Sequence, residues 1–158
     1  MRIFEGNLSG KGLSFAIVAS KFNKLITDKL LDGAINFLKQ VETEEGNIDI
    51  FWVPGSFEIP IAVEEILSYR KYDAVICLGT LIRGETPHFE YIATHVTKSL
   101  LDLSIKHHTP VAFGIITANT VEEAIDRAGL KMGNKGIEAT IAAVEMANLR
   151  KLIGRITV

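Results

Sequence analysis

The chain has 158 residues, 47% of them hydrophobic, which suits one domain with a single substantial core. Its 17 Lys and Arg against 19 Asp and Glu leave a formal charge of −2, so no global basic field recruits nucleic acid or an anionic membrane. No apolar run approaches the roughly 20 residues that span a bilayer, and the opening MRIFEGNLSG lacks the apolar centre of a signal peptide; a soluble, cytoplasmic protein is expected.

In chain order, RIFEGNL within residues 1–8 has strand composition but no evident partner in the rest of the chain. LSFAIVAS (13–20) is the first of four short apolar runs; the others are IDIFWV (48–53), DAVICLG (73–79) and PVAFGII (110–116). Most are nearly continuous rather than alternating, which predicts strands of a parallel sheet buried on both faces. Leu31, Ala34, Ile35 and Leu38 have helical spacing, as do Ile92, Val96, Leu100 and Leu103. The acidic stretch ETEEG (42–46) reads as a solvated loop, and the single cysteine, Cys77, as a buried reduced thiol. TVEE is a capping box in which Thr120 caps and Glu123 reaches back, opening a short helix that should stop near Gly129. Asn134 opens a last helix with Ile137, Ile141 and Val144 on one face. The order β-α-β-α-β-α-β-α-α predicts a doubly wound α/β sandwich, in which ligands bind beyond the carboxyl ends of the strands.

Those ends carry SKFN (20–23), PGSFEIP (54–60), TLIRGETPH (80–88) and TANT (117–120). Thr86 suits an N-cap and Pro87 the first helical position, which puts His88 in a first helical turn. There the partial positive charge favours a neutral imidazole, able to accept a proton; a surface histidine at a helix start is the alternative. The free N–H groups of Gly84, Glu85 and Thr86 can cradle a phosphate. Phe22 can stack on a planar heterocycle or act as a hydrophobic staple. Glu58 can hold ligand hydroxyls or serve a helix dipole, and Arg127 can bind phosphate or complement a helix C-terminus. His95, His107 and His108 read as structural or solvated, and no histidine pair has metal-ligand company. Several classes lack their parts: there is no G-x-x-x-x-G-K-[ST], no G-x-G-x-x-G after the first strand, no G-x-S-x-G around Ser56, and VASKFN offers no acidic phosphoacceptor.

ASKFN, VPGSFEIP, GTLIRGETPHFEYIA, FGIITANTVEEAIDRAG and GNKGIEAT together resemble the 6,7-dimethyl-8-ribityllumazine synthase family. The similarity runs in order from about residue 3 to residue 150; the third and fifth blocks are highly specific, whereas FGIIT alone would be weak. Asn119 stands where the family often has aspartate, and Leu130 where threonine is common. The resemblance implies one domain over residues 1–158, a flavodoxin-like three-layer α/β/α sandwich on a four-stranded parallel sheet, with residues 1–8 pairing as a strand with a neighbouring subunit. It implies condensation of 5-amino-6-(D-ribitylamino)uracil with 3,4-dihydroxy-2-butanone 4-phosphate, with release of phosphate and without metal or organic cofactor. By position, Phe22 stacks on the pyrimidine; Asn23, Ser56, Phe57 and Glu58 hold ring and ribityl chain; Thr80, Leu81 and Ile82 line the same part. Gly84, Glu85, Thr86 and Arg127 take the phosphate, and His88 shuttles protons. Phe113, Arg127 and Lys135 are implied to come from a neighbouring subunit. The implied assembly is a pentamer and, given the short GLKMGNKG turn, a sixty-subunit icosahedral shell, with riboflavin synthase as a candidate partner. A binding protein without catalysis and a purely structural cage are the competing readings on the same scaffold.

Overall fold

A computed structural model describes residues 1–85, 87–131 and 133–156. Four strands, β1 (Phe15–Ser20), β2 (Ile48–Val53), β3 (Ala74–Ile82) and β4 (Val111–Ala118), form one parallel sheet in the order β2-β1-β3-β4. Five helices connect and follow them: α1 (Lys24–Gln40), α2 (Ile59–Tyr69), α3 (His88–His107), α4 (Val121–Arg127) and α5 (Lys135–Ile156). This is the doubly wound α/β sandwich expected from the order of elements, in the flavodoxin-like form that the resemblance implies. The connection from β1 goes one way to β2, and the next crosses back to β3. The topological switch point therefore lies between β1 and β3, where ligands collect in such sheets.

Successive side chains on β1 supply two cores. Phe15, Ile17 and Ala19 join Leu30, Ala34 and Leu38 of α1 and Ala139, Ala143 and Val144 of α5. Ala16 and Val18 join Ile59 and Val63 of α2 and Val96 and Leu100 of α3. The helices thus cover both faces of the sheet, and β1 is buried at all six positions. Not every run is equally covered. On β2 only Val53 is buried and Ile50 is 40% exposed, because this strand lies at a sheet edge. Cys77 is fully buried, and that burial pushes its thiol pKa up, as suits an inert core thiol.

Two local expectations need correction. The buried stripe of α5 consists of Gly136, Ala139, Thr140, Ala143, Val144 and Ala147, with Ile137 and Ile141 half-buried at its flanks. Small residues take the stripe because α1 comes so close: a Cβ on Gly136 would lie 2.2 Å from the Leu30 carbonyl oxygen. In the acidic loop, Glu42, Glu44 and Glu45 are exposed, but Thr43 is buried beneath Gly10.

The caps follow the sequence more closely. Thr120 Oγ1 accepts the Glu123 N–H at 3.1 Å, while Glu123 Oε2 accepts the Asn119 N–H, one residue beyond the usual box. Gly129, at φ 118°, follows the last turn of α4. Asn134 Oδ1 caps α5 by accepting the Ile137 N–H at 3.1 Å.

Candidate active site

The chain leaving β1 keeps to the sheet for two more residues. Lys21 N–H donates to Val53 O at 2.8 Å and Phe22 N–H to Pro54 O at 3.0 Å. Phe22 is 69% exposed, so little of it is packed as a hydrophobic staple would be. Asn23 then turns the chain into α1 in the left-handed region (φ 58°, ψ 42°), a conformation asparagine tolerates. Its side-chain amide donates to Thr80 O at 3.2 Å, tying the ends of β1 and β3 across the switch point. The buried Thr80 hydroxyl meets that of Thr27 at 3.4 Å, and Leu81 and Ile82 continue β3 half-buried.

Beyond β2, residues Ser56–Glu58 form a 3-10 turn that runs into α2, with Pro60 in its first turn. The turn buries Ser56 and leaves Phe57 67% exposed. The hydroxyls of Ser20 and Ser56 are both buried and have no hydrogen-bond partner among the described residues. They flank Gly79, where a Cβ would stand 2.7 Å from Ser56 Oγ and 3.0 Å from Ser20 Oγ. Glycine is what lets two hydroxyls fit between the strand ends. Phe57 and Glu58 open onto a cavity of about 360 Å³ that is also lined by Pro60, Ile61 and His95. His95 is exposed, as a solvated histidine should be, yet it sits at the rim of this cavity.

After β3 the chain passes through Gly84 and Glu85, both exposed, to α3; Thr86, the expected cap, lies outside the described residues. Pro87 precedes the helix with φ −72° and ψ 0°, and His88 is its first residue, so α3 begins one residue later than the start expected at Pro87. His88 is exposed, and no hydrogen bond joins its ring to a described residue.

The remaining candidates stand apart. Phe113, Arg127 and Lys135 line a pocket of about 280 Å³ along the edge strand β4, together with Ile115, Ile116, Thr117 and Glu138. Arg127 Nη1 donates to Thr117 O at 2.7 Å, holding the guanidinium across the strand edge. None of the candidates from β1, β2 and β3 lines this pocket. Thr117 and Glu138 had no distinguishing signal in the sequence; they join the pocket because β4 and α5 place them there.

The arrangement offers exposed aromatic faces, a polar floor and an imidazole at the carboxyl end of the sheet, and a cationic pocket at its edge. Among the described residues no group of three or more His, Cys, Asp or Glu is placed to hold a metal ion. The 6,7-dimethyl-8-ribityllumazine synthase family model matches residues 12–151, which includes both groups of candidates, and the chain belongs to that family.

Proposed function

We propose that the protein condenses 5-amino-6-(D-ribitylamino)uracil with 3,4-dihydroxy-2-butanone 4-phosphate to form 6,7-dimethyl-8-ribityllumazine and phosphate. Family membership supports a lumazine synthase transferase acting in riboflavin biosynthesis; the substrates and the residue roles are our own reading. The observation that carries it is the division of the candidates into two half-sites. Phe22, Phe57, Glu58 and His88 stand beyond β1, β2 and β3, whereas Phe113, Arg127 and Lys135 share a pocket on β4.

A complete site then forms between subunits. In it, Phe22 stacks on the pyrimidine, and Ser56, Phe57 and Glu58 hold ring and ribityl chain beside Asn23, Thr80, Leu81 and Ile82. The neighbour's copies of Phe113, Arg127 and Lys135 close the site. The phosphate rests against the N–H groups of Gly84, Glu85 and Thr86 and against the guanidinium of Arg127. The uracil's 5-amino group attacks the ketone, and imine formation expels water. Elimination of phosphate and ring closure, with loss of a second water, complete the reaction. Each step moves a proton between nitrogen, carbon and oxygen, and an imidazole at His88 can both accept and donate it.

Residues 1–8 support the assembly. They form no strand within the chain, and residues 1–5 are exposed. Gly6 is packed on α5, where a Cβ would lie 2.0 Å from Glu145 O, and Asn148 donates to the carbonyls of Asn7 and Ser9 at 2.9 Å each. The segment is thus held at its carboxyl end, and the exposed residues 1–5 are accessible to a neighbour's sheet edge. A pentamer that assembles into an icosahedral shell, with riboflavin synthase as a candidate partner, accords with this reading.

Mixing the two substrates and following lumazine absorbance tests the activity; no lumazine above the uncatalysed rate rejects it in favour of a binding protein or a relic cage. Light scattering tests the assembly. A mass of only five or ten 17.4 kDa chains rejects the shell, and an active monomer rejects the shared site.

A further inference from the structure

One arginine outside both half-sites joins the elements that carry them. Arg83 follows the last residue of β3, and its backbone N–H donates to Ala118 O at 2.8 Å, extending the β3–β4 ladder. Its side chain then reaches in two directions. Nε donates to Asn119 Oδ1 at 2.9 Å, and Nη1 donates to Glu90 Oε1 at 2.9 Å. The guanidinium also lies 4.9 Å from the centre of the Phe89 ring. Phe89 and Glu90 are the residues directly after His88 in the first turn of α3. Asn119 is itself anchored, since its N–H is held by Glu123 Oε2 at 2.9 Å in the capped start of α4.

We infer that Arg83 is a positioning residue: by bridging Asn119 and Glu90 it fixes the first turn of α3, and with it His88, against the start of α4. The connection through Gly84 and Glu85 is exposed, so without this bridge α3 would be placed by packing further along the helix, from the half-buried Ile92 to the buried Val96 and Leu100. The two bonds leave Arg83 from different nitrogens of one rigid fork; lysine's three donors sit on a single nitrogen at the end of a flexible stem and do not hold that geometry. Arg83 is 46% and Glu90 61% exposed at the side chain, so the bridge adds little to global stability. Its effect is on placement, where an error of about 1 Å can cost up to about 100-fold in rate.

The catalytic part of this inference rests on the proposed function; the bridge itself does not. The test compares wild type with Arg83→Lys and Glu90→Gln by kinetics, thermal unfolding and amide hydrogen exchange. Expected for Arg83→Lys are faster exchange in the first turn of α3 and at residues 119–123, and kcat lowered by about 10- to 100-fold. The pyrimidine KM and the melting temperature should hardly change. Glu90→Gln should move the same readouts in the same direction by less. If Arg83 bound phosphate directly, releasing it from Glu90 would instead tighten inorganic phosphate binding, and that result overturns the inference. Unchanged exchange at both segments in Arg83→Lys also overturns it, as does a fall in melting temperature with both KM values raised. A wild type that makes no lumazine defeats the proposed reaction alone, because the exchange comparison still decides the bridge.

Discussion

At the amino-terminal end of the sheet, Asp73 accepts the Ser14 N–H at 2.7 Å and lies 3.5 Å from Lys151 Nζ, while Tyr72 donates its hydroxyl to Asp49 at 2.5 Å. At the carboxyl end, Ser20 and Ser56 bury hydroxyls that have no partner among the described residues, and Phe22 and Phe57 are large exposed aromatics. The first end has used most of its polar groups on itself, the buried Thr43 hydroxyl excepted. A buried hydroxyl without a partner costs about 1–3 kcal/mol, and at the second end two of them flank a single glycine, Gly79. Proteins retain such features where a ligand makes use of them. The tyrosine makes the contrast sharper: burial, then the hydrogen bond to Asp49, raises its pKa, so the contact is built around the neutral phenol.

The contrast predicts that substitutions at the carboxyl end change kinetics and those at the amino-terminal end change stability. The largest effect is expected for His88→Ala. General acid–base catalysis contributes about 10²–10⁴-fold, and this condensation calls for the low end. A kcat lowered by about 100-fold with an unchanged melting temperature fits an exposed imidazole that serves the reaction; an unchanged kcat makes His88 an ordinary helix-start residue. Next is Asp73→Ala, which deprives the Ser14 N–H of its acceptor. Denaturant unfolding should show a loss of about 1–3 kcal/mol with wild-type kinetics. A kinetic defect in this variant would break the division between the two ends.

A smaller effect is expected at Phe22. Stacking is worth about 0.5–1.5 kcal/mol beyond area burial, so Phe22→Ala should raise the pyrimidine KM by about 2- to 12-fold. Phe22→Tyr and Phe22→Trp should largely keep it. Because the ring is 69% exposed in the chain, none of the three should lower the melting temperature of the subunit; equal kinetic loss in all three would exclude stacking.

Much of this layout is legible in the sequence because it rests on local chemistry. The four apolar runs became the four strands, and Thr120, Gly129 and Asn134 each cap a helix through their own side chain or backbone freedom. What is not legible depends on distant packing. The α5 stripe could not be read from hydrophobicity, because close approach to Leu30 selects Gly136 and alanines over Ile137 and Ile141. Arg83 looks like any charged residue at a strand end; Asn119 is 36 positions away and is brought alongside only by the pairing of Ile82 with Ala118. That Phe113, Arg127 and Lys135 share a pocket apart from the other candidates is implied by the family resemblance but not by the spacing of the residues. It arises because β4 is an edge strand, and the sheet order has to be known first. Asn23 stands out in the sequence for its place in a motif, while its left-handed backbone and its bond to Thr80 O give it a structural task as well.

The smallest effect sharpens the stability side of the comparison through pH. The last turn of α3 lies at the amino-terminal end of the sheet, and there Glu64 of α2 accepts from Lys106 Nζ and pairs with His107 Nε2, each at 2.6 Å. These bonds, Lys106 first and His107 second, hold the Glu64 carboxyl below its ordinary range against the opposing effect of burial. A carboxyl whose pKa is lower in the folded chain contributes stability in full above its unfolded value, about 4.3, and loses it as the pH falls through the folded value. Glu64→Gln should therefore have a lower urea midpoint than wild type at pH 7. The gap should narrow as the pH drops below the ordinary carboxylate range, and lumazine formation at neutral pH should not change. A gap that persists undiminished in acid would assign the loss to packing between α2 and α3 rather than to the charge. In that event the amino-terminal end would owe its stability to shape, and the contrast with the carboxyl end would rest on Asp73 and Tyr72 alone.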